Sequence, residues 1–267
     1  MIRKQTAYLA LAIGLYLFNQ LTMTLFFGPL APYADRICSD PNFIGVLSSV
    51  FQILVYTPLF FFLFKGQTDG LASVHQPRAM LSPHQVFLIA LGLSGLTGVW
   101  LALVENHLVA FPAIKKSFAV FMKAMEGGSD DSLVLGLLYS TLLAALMEEL
   151  LFRGLIHNSL KAFSRSPAFA IIATGILFGI WHALLVQSIY AVLGGLIFSY
   201  IYERTGRLSV TMAIHFINNF ISSMVPELAK VFPPADQVYE GLTLAAIPFL
   251  FYYLVKIRPA RQTRPSS

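Results

Sequence analysis

The sequence predicts an all-α, polytopic integral membrane protein of about eight transmembrane helices. Three observations carry this: 57% of the residues are hydrophobic, only 12% are charged, and the apolar residues gather into runs of spanning length. A soluble domain carries about 25% charged residues, so a mean hydropathy of +0.70 marks lipid as the main solvent. A spanning helix needs about 20 mostly apolar residues, and 267 residues hold eight such spans joined by short connections. The chain 1–267 therefore reads as a single membrane-embedded domain, with no room for a separate soluble one.

Taken in order, the runs occupy about residues 7–30, 43–64, 85–104, 132–160, 167–186, 188–203, 208–225 and 239–256. The first follows Arg3 and Lys4 and is too long for the apolar core of a signal peptide. No small-residue cleavage pattern stands near Pro29, so it reads as a retained span. The fourth run is the longest and is expected to protrude from the bilayer. Turn chemistry separates the runs: Asp40-Pro41-Asn42, a polar stretch from Lys65 to His84, the Gly-Gly-Ser-Asp-Asp of 127–131, Ser166-Pro167 and the Pro-Pro-Ala-Asp of 233–236. Between the third and fourth runs, residues 113–125 interleave Lys115, Lys116 and Lys123 with Phe118, Val120, Phe121 and Met122. That pattern predicts an amphipathic helix anchored on the membrane surface.

Charge and cysteine content exclude several functions. The net charge of +5 is spread over the ends of the apolar runs rather than gathered on one face, which argues against a nucleic-acid partner. Cys38 is the only cysteine, which excludes an internal disulfide, a cysteine zinc cluster and a CxxC redox pair. Cytoplasmic loops hold an excess of Lys and Arg. With both termini cytoplasmic, twelve cations fall inside: Arg3, Lys4, Lys65, Arg78, Lys161, Arg165, Arg204, Arg207, Lys256, Arg258, Arg261 and Arg264. Five fall outside: Arg36, Lys115, Lys116, Lys123 and Lys230. Arg153 stays within a helix, and an even number of spans preserves the asymmetry.

Polar residues inside the spans carry the functional signal. A charge at the bilayer centre costs about 2.5–3.5 kcal/mol on insertion scales, so such residues face a cavity or a partner. The fourth run places Glu148 and Glu149 about 100° apart on a helix, with Arg153 one turn beyond Glu149 where an ion pair forms. Glu149 is thus either counter-ion to Arg153 or part of the chemistry, whereas Glu148 has no local partner. The fifth run sets Phe178 one turn before His182, with Gly175 and Gly179 as a small-residue strip for close helix approach. The seventh run sets His215 and Asn219 one turn apart, and Asn218 points away from them.

Counting about 1.5 Å per residue from each helix's cytoplasmic end puts Glu148 roughly 21 Å deep, His182 roughly 22 Å, and His215 and Asn219 roughly 10 and 16 Å. These depths allow one shared intramembrane pocket. In it, Glu148 with His182 suits the activation of water, and His215 with Asn219 suits donation to a tetrahedral oxyanion. Nucleophilic catalysis is disfavoured, because Cys38 is remote and no GxSxG or serine–lysine arrangement occurs. Glu148, His182 and His215 are also a possible zinc set, with water as fourth ligand, although the ligands come singly from three helices and HExxH is absent. A proton or cation relay through the same residues is a third reading.

Together, Glu148-Glu149-Leu-Leu-Phe-Arg153, Phe178-Gly-Ile-Trp-His182 and His215-Phe-Ile-Asn-Asn219 resemble the ordered EExxxR, FxxxH and HxxxN signatures of the CPBP intramembrane proteases. That family includes the type II CAAX prenyl endopeptidases and the Abi-type bacteriocin-processing proteins. The resemblance covers about residues 132–225, read as the protease core. It implies an eight-helix fold with a site reached from the cytosol, and metal-free hydrolysis of a peptide bond by glutamate-activated water, with no cofactor. By position it implies Glu148 and His182 as water activators, His215 and Asn219 as oxyanion donors, and Glu149, Arg153 and Phe178 in support. The implied partner is a peptide or protein substrate, lipidated or otherwise membrane-anchored. Some members act as membrane regulators or scaffolds, so the non-proteolytic alternative stays open at this point.

Overall fold

A computed structural model describes residues 2–65, 80–126 and 132–257. The described residues form helices and no strand. Among the described residues seven helices are long and apolar enough to cross a membrane: α1 (Gln5–Ala34), α2 (Pro41–Phe64), α3 (Pro83–Leu108), α5 (Leu133–Ser164), α7 (Leu185–Thr205), α8 (Leu208–Ala229) and α9 (Ala235–Lys256). Two are shorter: the amphipathic α4 (Pro112–Glu126) and the apolar α6 (Pro167–Trp181). The chain is therefore an all-α multi-pass membrane protein. The turn at 127–131, most of the polar stretch after Lys65, and Arg78, Arg258, Arg261 and Arg264 lie outside the described residues.

Local sequence sets where the helices start. Proline opens α2, α3 and α6, where its missing N–H is no loss. Asp40 caps α2 by accepting the Asn42 N–H at 2.7 Å, Ser132 caps α5 through Leu135, and Ser166 caps α6 through Phe169. Asp40 also accepts the Ser132 N–H, which ties the starts of α2 and α5 together. The two amides, Ser132's foremost, hold its carboxyl below the usual aspartate range. The Tyr200 hydroxyl donates to the Leu254 carbonyl and joins the ends of α7 and α9. Parallel pairs of this kind are what alternating passes require.

The uninterrupted fifth span expected over 167–186 does not form. α6 ends at Trp181 after 15 residues, about 22 Å and short of the roughly 30 Å hydrocarbon core. His182 is its C-cap, and Ala183 adopts a left-handed φ of 60°, which a side chain resists. The chain then reverses directly into α7. Two groups hold this reversal: the Ser117 hydroxyl accepts the Val186 N–H at 3.0 Å, and Trp100 Nε1 donates to the Val186 carbonyl at 2.9 Å.

Ser117 lies on α4, which is thus amphipathic as expected and also packs against the helix bundle. One side of α4 docks on the protein through buried Ser117 and Phe121, whose ring meets Tyr190 of α7 edge-on, while Val120 and Met122 stay exposed. Lys115, Lys116 and Lys123 occupy its exposed face. The sequence shows that α4 is two-faced; it does not say which apolar surface the face will cover.

Packing divides the interior into two clusters. One joins α1, α2, α5 and α6 around Tyr56, Phe152, Leu155 and Phe178, and the other joins α3, α7, α8 and α9 around Ile89, Phe198, Ile214 and Leu250. α6 and α7 lie backbone against backbone: a Cβ on Gly179 would meet Val192 and stand 2.7 Å from the Ser188 carbonyl. The small-residue strip seen in the sequence is thus used, which matters in lipid because helix association there rests on close packing rather than on water exclusion.

Candidate active site

α5 is not a uniform helix. Wider π-helical turns over Leu138–Leu143 and Leu150–His157 bracket the α-helical Ala144–Glu149 that carries both glutamates. Such turns displace backbone carbonyls from the regular ladder and favour functional positions. A cavity of about 470 Å³ opens beside this segment, between the two packing clusters. Its size suits a small ligand or a peptide segment. Glu148, His182, His215, Asn218 and Asn219 all line it.

The two glutamates face different surroundings. Glu149 is fully buried, and its Oε1 accepts from Arg153 Nη1 at 2.9 Å and from His215 Nδ1 at 3.0 Å. Arg153 is also fully buried, donates to the Gly195 carbonyl at 3.1 Å, and lies between the Phe178 and Phe198 rings at 4.7 and 5.1 Å. This aromatic clamp and the paired carboxylate offset the cost of burying a guanidinium. Glu148 turns to the cavity instead. Its Oε2 has no hydrogen-bond partner among the described residues and stands 3.8 Å from His215 Nε2.

Both histidines are held through Nδ1 and leave Nε2 available. His182 Nδ1 donates to the Phe178 carbonyl at 2.9 Å; a carbonyl only accepts, so the proton is on Nδ1. The Phe178 and Trp181 rings meet the His182 ring edge-on at 4.7 and 4.9 Å. His215 is fixed by the Glu149 carboxylate on one side and stacks on Phe198 at 5.0 Å. Glu149 and Arg153 therefore orient His215 and hold no position on the cavity wall.

Asn219 donates to the Ser140 carbonyl, on the first π-helical turn, at 3.1 Å. Asn218 does not point away, as helix spacing predicted. It lines the cavity, donates to Asn219 Oδ1 at 3.2 Å and accepts from the Ser94 hydroxyl at 2.8 Å. Sequence reading missed Ser94 because 124 residues separate it from Asn218, and missed the Ser140 carbonyl because a backbone group has no sequence signal.

Among the described residues no group of three or more His, Cys, Asp or Glu side chains is arranged to hold an ion. His215 and His182 are each held through Nδ1, by Glu149 and by the Phe178 carbonyl, which is also how a histidine that ligates through Nε2 is oriented, so Glu148, His182 and His215 are the residues that would hold a metal.

Fold and site define a class: an all-α membrane protein with a carboxylate–histidine–asparagine cluster around a cavity within its helix bundle. Residues 130–221 match the family described as Type II CAAX prenyl endopeptidase Rce1-like. The match runs from α5 into α8 and holds every Glu, His and Asn on the cavity wall. No curated protein and no solved structure matches the chain.

Proposed function

We propose that the chain is an intramembrane endopeptidase that cleaves a membrane-associated peptide, of CAAX-like or leader type, with a water activated by Glu148. One observation carries the reading: a buried carboxylate without a hydrogen-bond partner faces the cavity, close to His215 and on the same wall as His182. A carboxylate in that setting is a general base for water, and His182 Nε2 orients the water. The resulting hydroxide attacks the scissile carbonyl carbon. Asn219 donates to the oxygen that gains charge, as does Nε2 of His215 in its imidazolium form, whose second N–H is held by the Glu149 carboxylate throughout. Glu148 then passes its proton to the departing amine nitrogen as the C–N bond breaks.

No step needs a metal. The match to a protease family favours cleavage over ion transport or a silent scaffold. Glu148→Gln lowers peptide cleavage by the purified protein by about 10²–10⁴-fold, the range for loss of a general base. Elemental analysis of the active protein finds no stoichiometric zinc. Wild-type turnover by Glu148→Gln overturns the assignment of Glu148, and activity that tracks zinc content overturns the metal-free step. The charge asymmetry supports an orientation with both termini cytoplasmic.

A further inference from the structure

A chain of hydrogen bonds runs from Ser94, which lies behind the cavity wall, through Asn218 and Asn219 on it to the Ser140 carbonyl, linking α3, α8 and α5. Its polarity is fixed from one end. The Ser140 carbonyl can only accept, so Asn219 must present its NH₂ there, at 3.1 Å. Asn219 Oδ1 is then turned to Asn218, which must donate, at 3.2 Å. Asn218 Oδ1 is left to accept, and the Ser94 hydroxyl supplies its proton at 2.8 Å, in preference to its own Ala90 carbonyl at 3.3 Å.

An asparagine amide can otherwise rotate by a half-turn and exchange oxygen for nitrogen. With Oδ1 toward an oxyanion, Asn219 would repel the charge it is meant to stabilise. The chain forbids that rotation at Asn219 from both sides, and each amide keeps one further N–H for the cavity. Ser94 lies on α3, outside the matched stretch 130–221, so this end of the chain is supplied by a part of the protein that the family match does not cover.

We infer that Ser94 and Asn218 are positioning residues that lock the Asn219 amide with its donor toward the developing oxyanion. The inference rests on the endopeptidase reading, and its effect falls on the chemical step rather than on substrate binding. Ser94→Ala is expected to lower kcat for peptide cleavage by about tenfold, the order of loss from a small misplacement of a catalytic group, with KM within about twofold. Ser94→Thr keeps the hydroxyl and restores kcat. In the Asn219→Ala background, Ser94→Ala has no further effect, because a residue acting through Asn219 loses its influence when Asn219 is gone. Asn218→Ala follows Ser94→Ala.

An unchanged kcat in Ser94→Ala, or an equal loss from Ser94→Ala with and without Asn219, overturns the inference. Those outcomes are read in protein whose cleavage is abolished by Glu148→Gln. Absence of Glu148-dependent cleavage overturns the endopeptidase reading itself, and this inference with it.

Discussion

Glu148 and Glu149 are adjacent in the chain, and one helical step of about 100° separates their surroundings. Glu149 faces Arg153 and His215 inside the protein, and Glu148 faces the cavity. Removing one partner of a buried ion pair leaves the other charge uncompensated, which costs about 3–5 kcal/mol. Arg153→Met is therefore expected to destabilise the protein by that order, read as a lower unfolding midpoint in detergent. It also removes the charge held between Phe178 and Phe198, whose rings contact His182 and His215 respectively. An unchanged midpoint would show that Arg153 is not the structural centre of this layer.

At the scale of elements, the break between α6 and α7 sets the position of His182. A continuous helix over 167–186 would carry the chain past the cavity; the turn at Ala183 instead leaves His182 at the end of α6, on the cavity wall. Ser117 and Trp100 secure the turn from α4 and α3, and Gly179 allows α7 to return in contact with α6. Gly179→Ala forces a methyl group into Val192 and the Ser188 carbonyl, an overpacking expected to cost about 1–3 kcal/mol. Because Gly179 is three residues before His182, cleavage activity falls with the thermal midpoint. Wild-type stability in Gly179→Ala would mean that the helices can separate without cost.

For the whole molecule, the proposed orientation predicts which side each connection faces. In a Cys38→Ser background, a cysteine at Lys116 reacts with a membrane-impermeant maleimide in intact cells, whereas one at Lys256 reacts only after permeabilisation. The reverse pattern would invert the protein. The capping bond at Asp40 also joins distant parts of the chain, the starts of α2 and α5. Its carboxyl is held below the usual aspartate range in the folded protein, so the stability it adds is fully present above that range. That contribution is lost as pH falls through the lowered folded value. The difference in unfolding midpoint between wild type and Asp40→Ala is therefore constant from neutral to mildly acidic pH and closes at lower pH. A difference independent of pH would assign the effect to something other than the carboxylate.

Several features are legible in the sequence because they follow from local chemistry. Composition requires lipid, the apolar runs place seven long helices, and Glu148, Glu149, His182, His215 and Asn219 stand out as costly in a bilayer. The ion pair of Glu149 with Arg153 and the contact of His182 with Phe178 follow from positions one helical turn apart. Tertiary structure decides the rest. The end of α6 at Trp181 is set by Ser117 and Trp100, which lie far away in sequence, and the docking of α4 depends on which apolar surface is nearest. Asn218 reaches the cavity because Ser94 and Asn219 hold its amide there, a choice that helix spacing cannot make. Sequence periodicity fixes which residues share a helix face; only packing between helices fixes what that face meets.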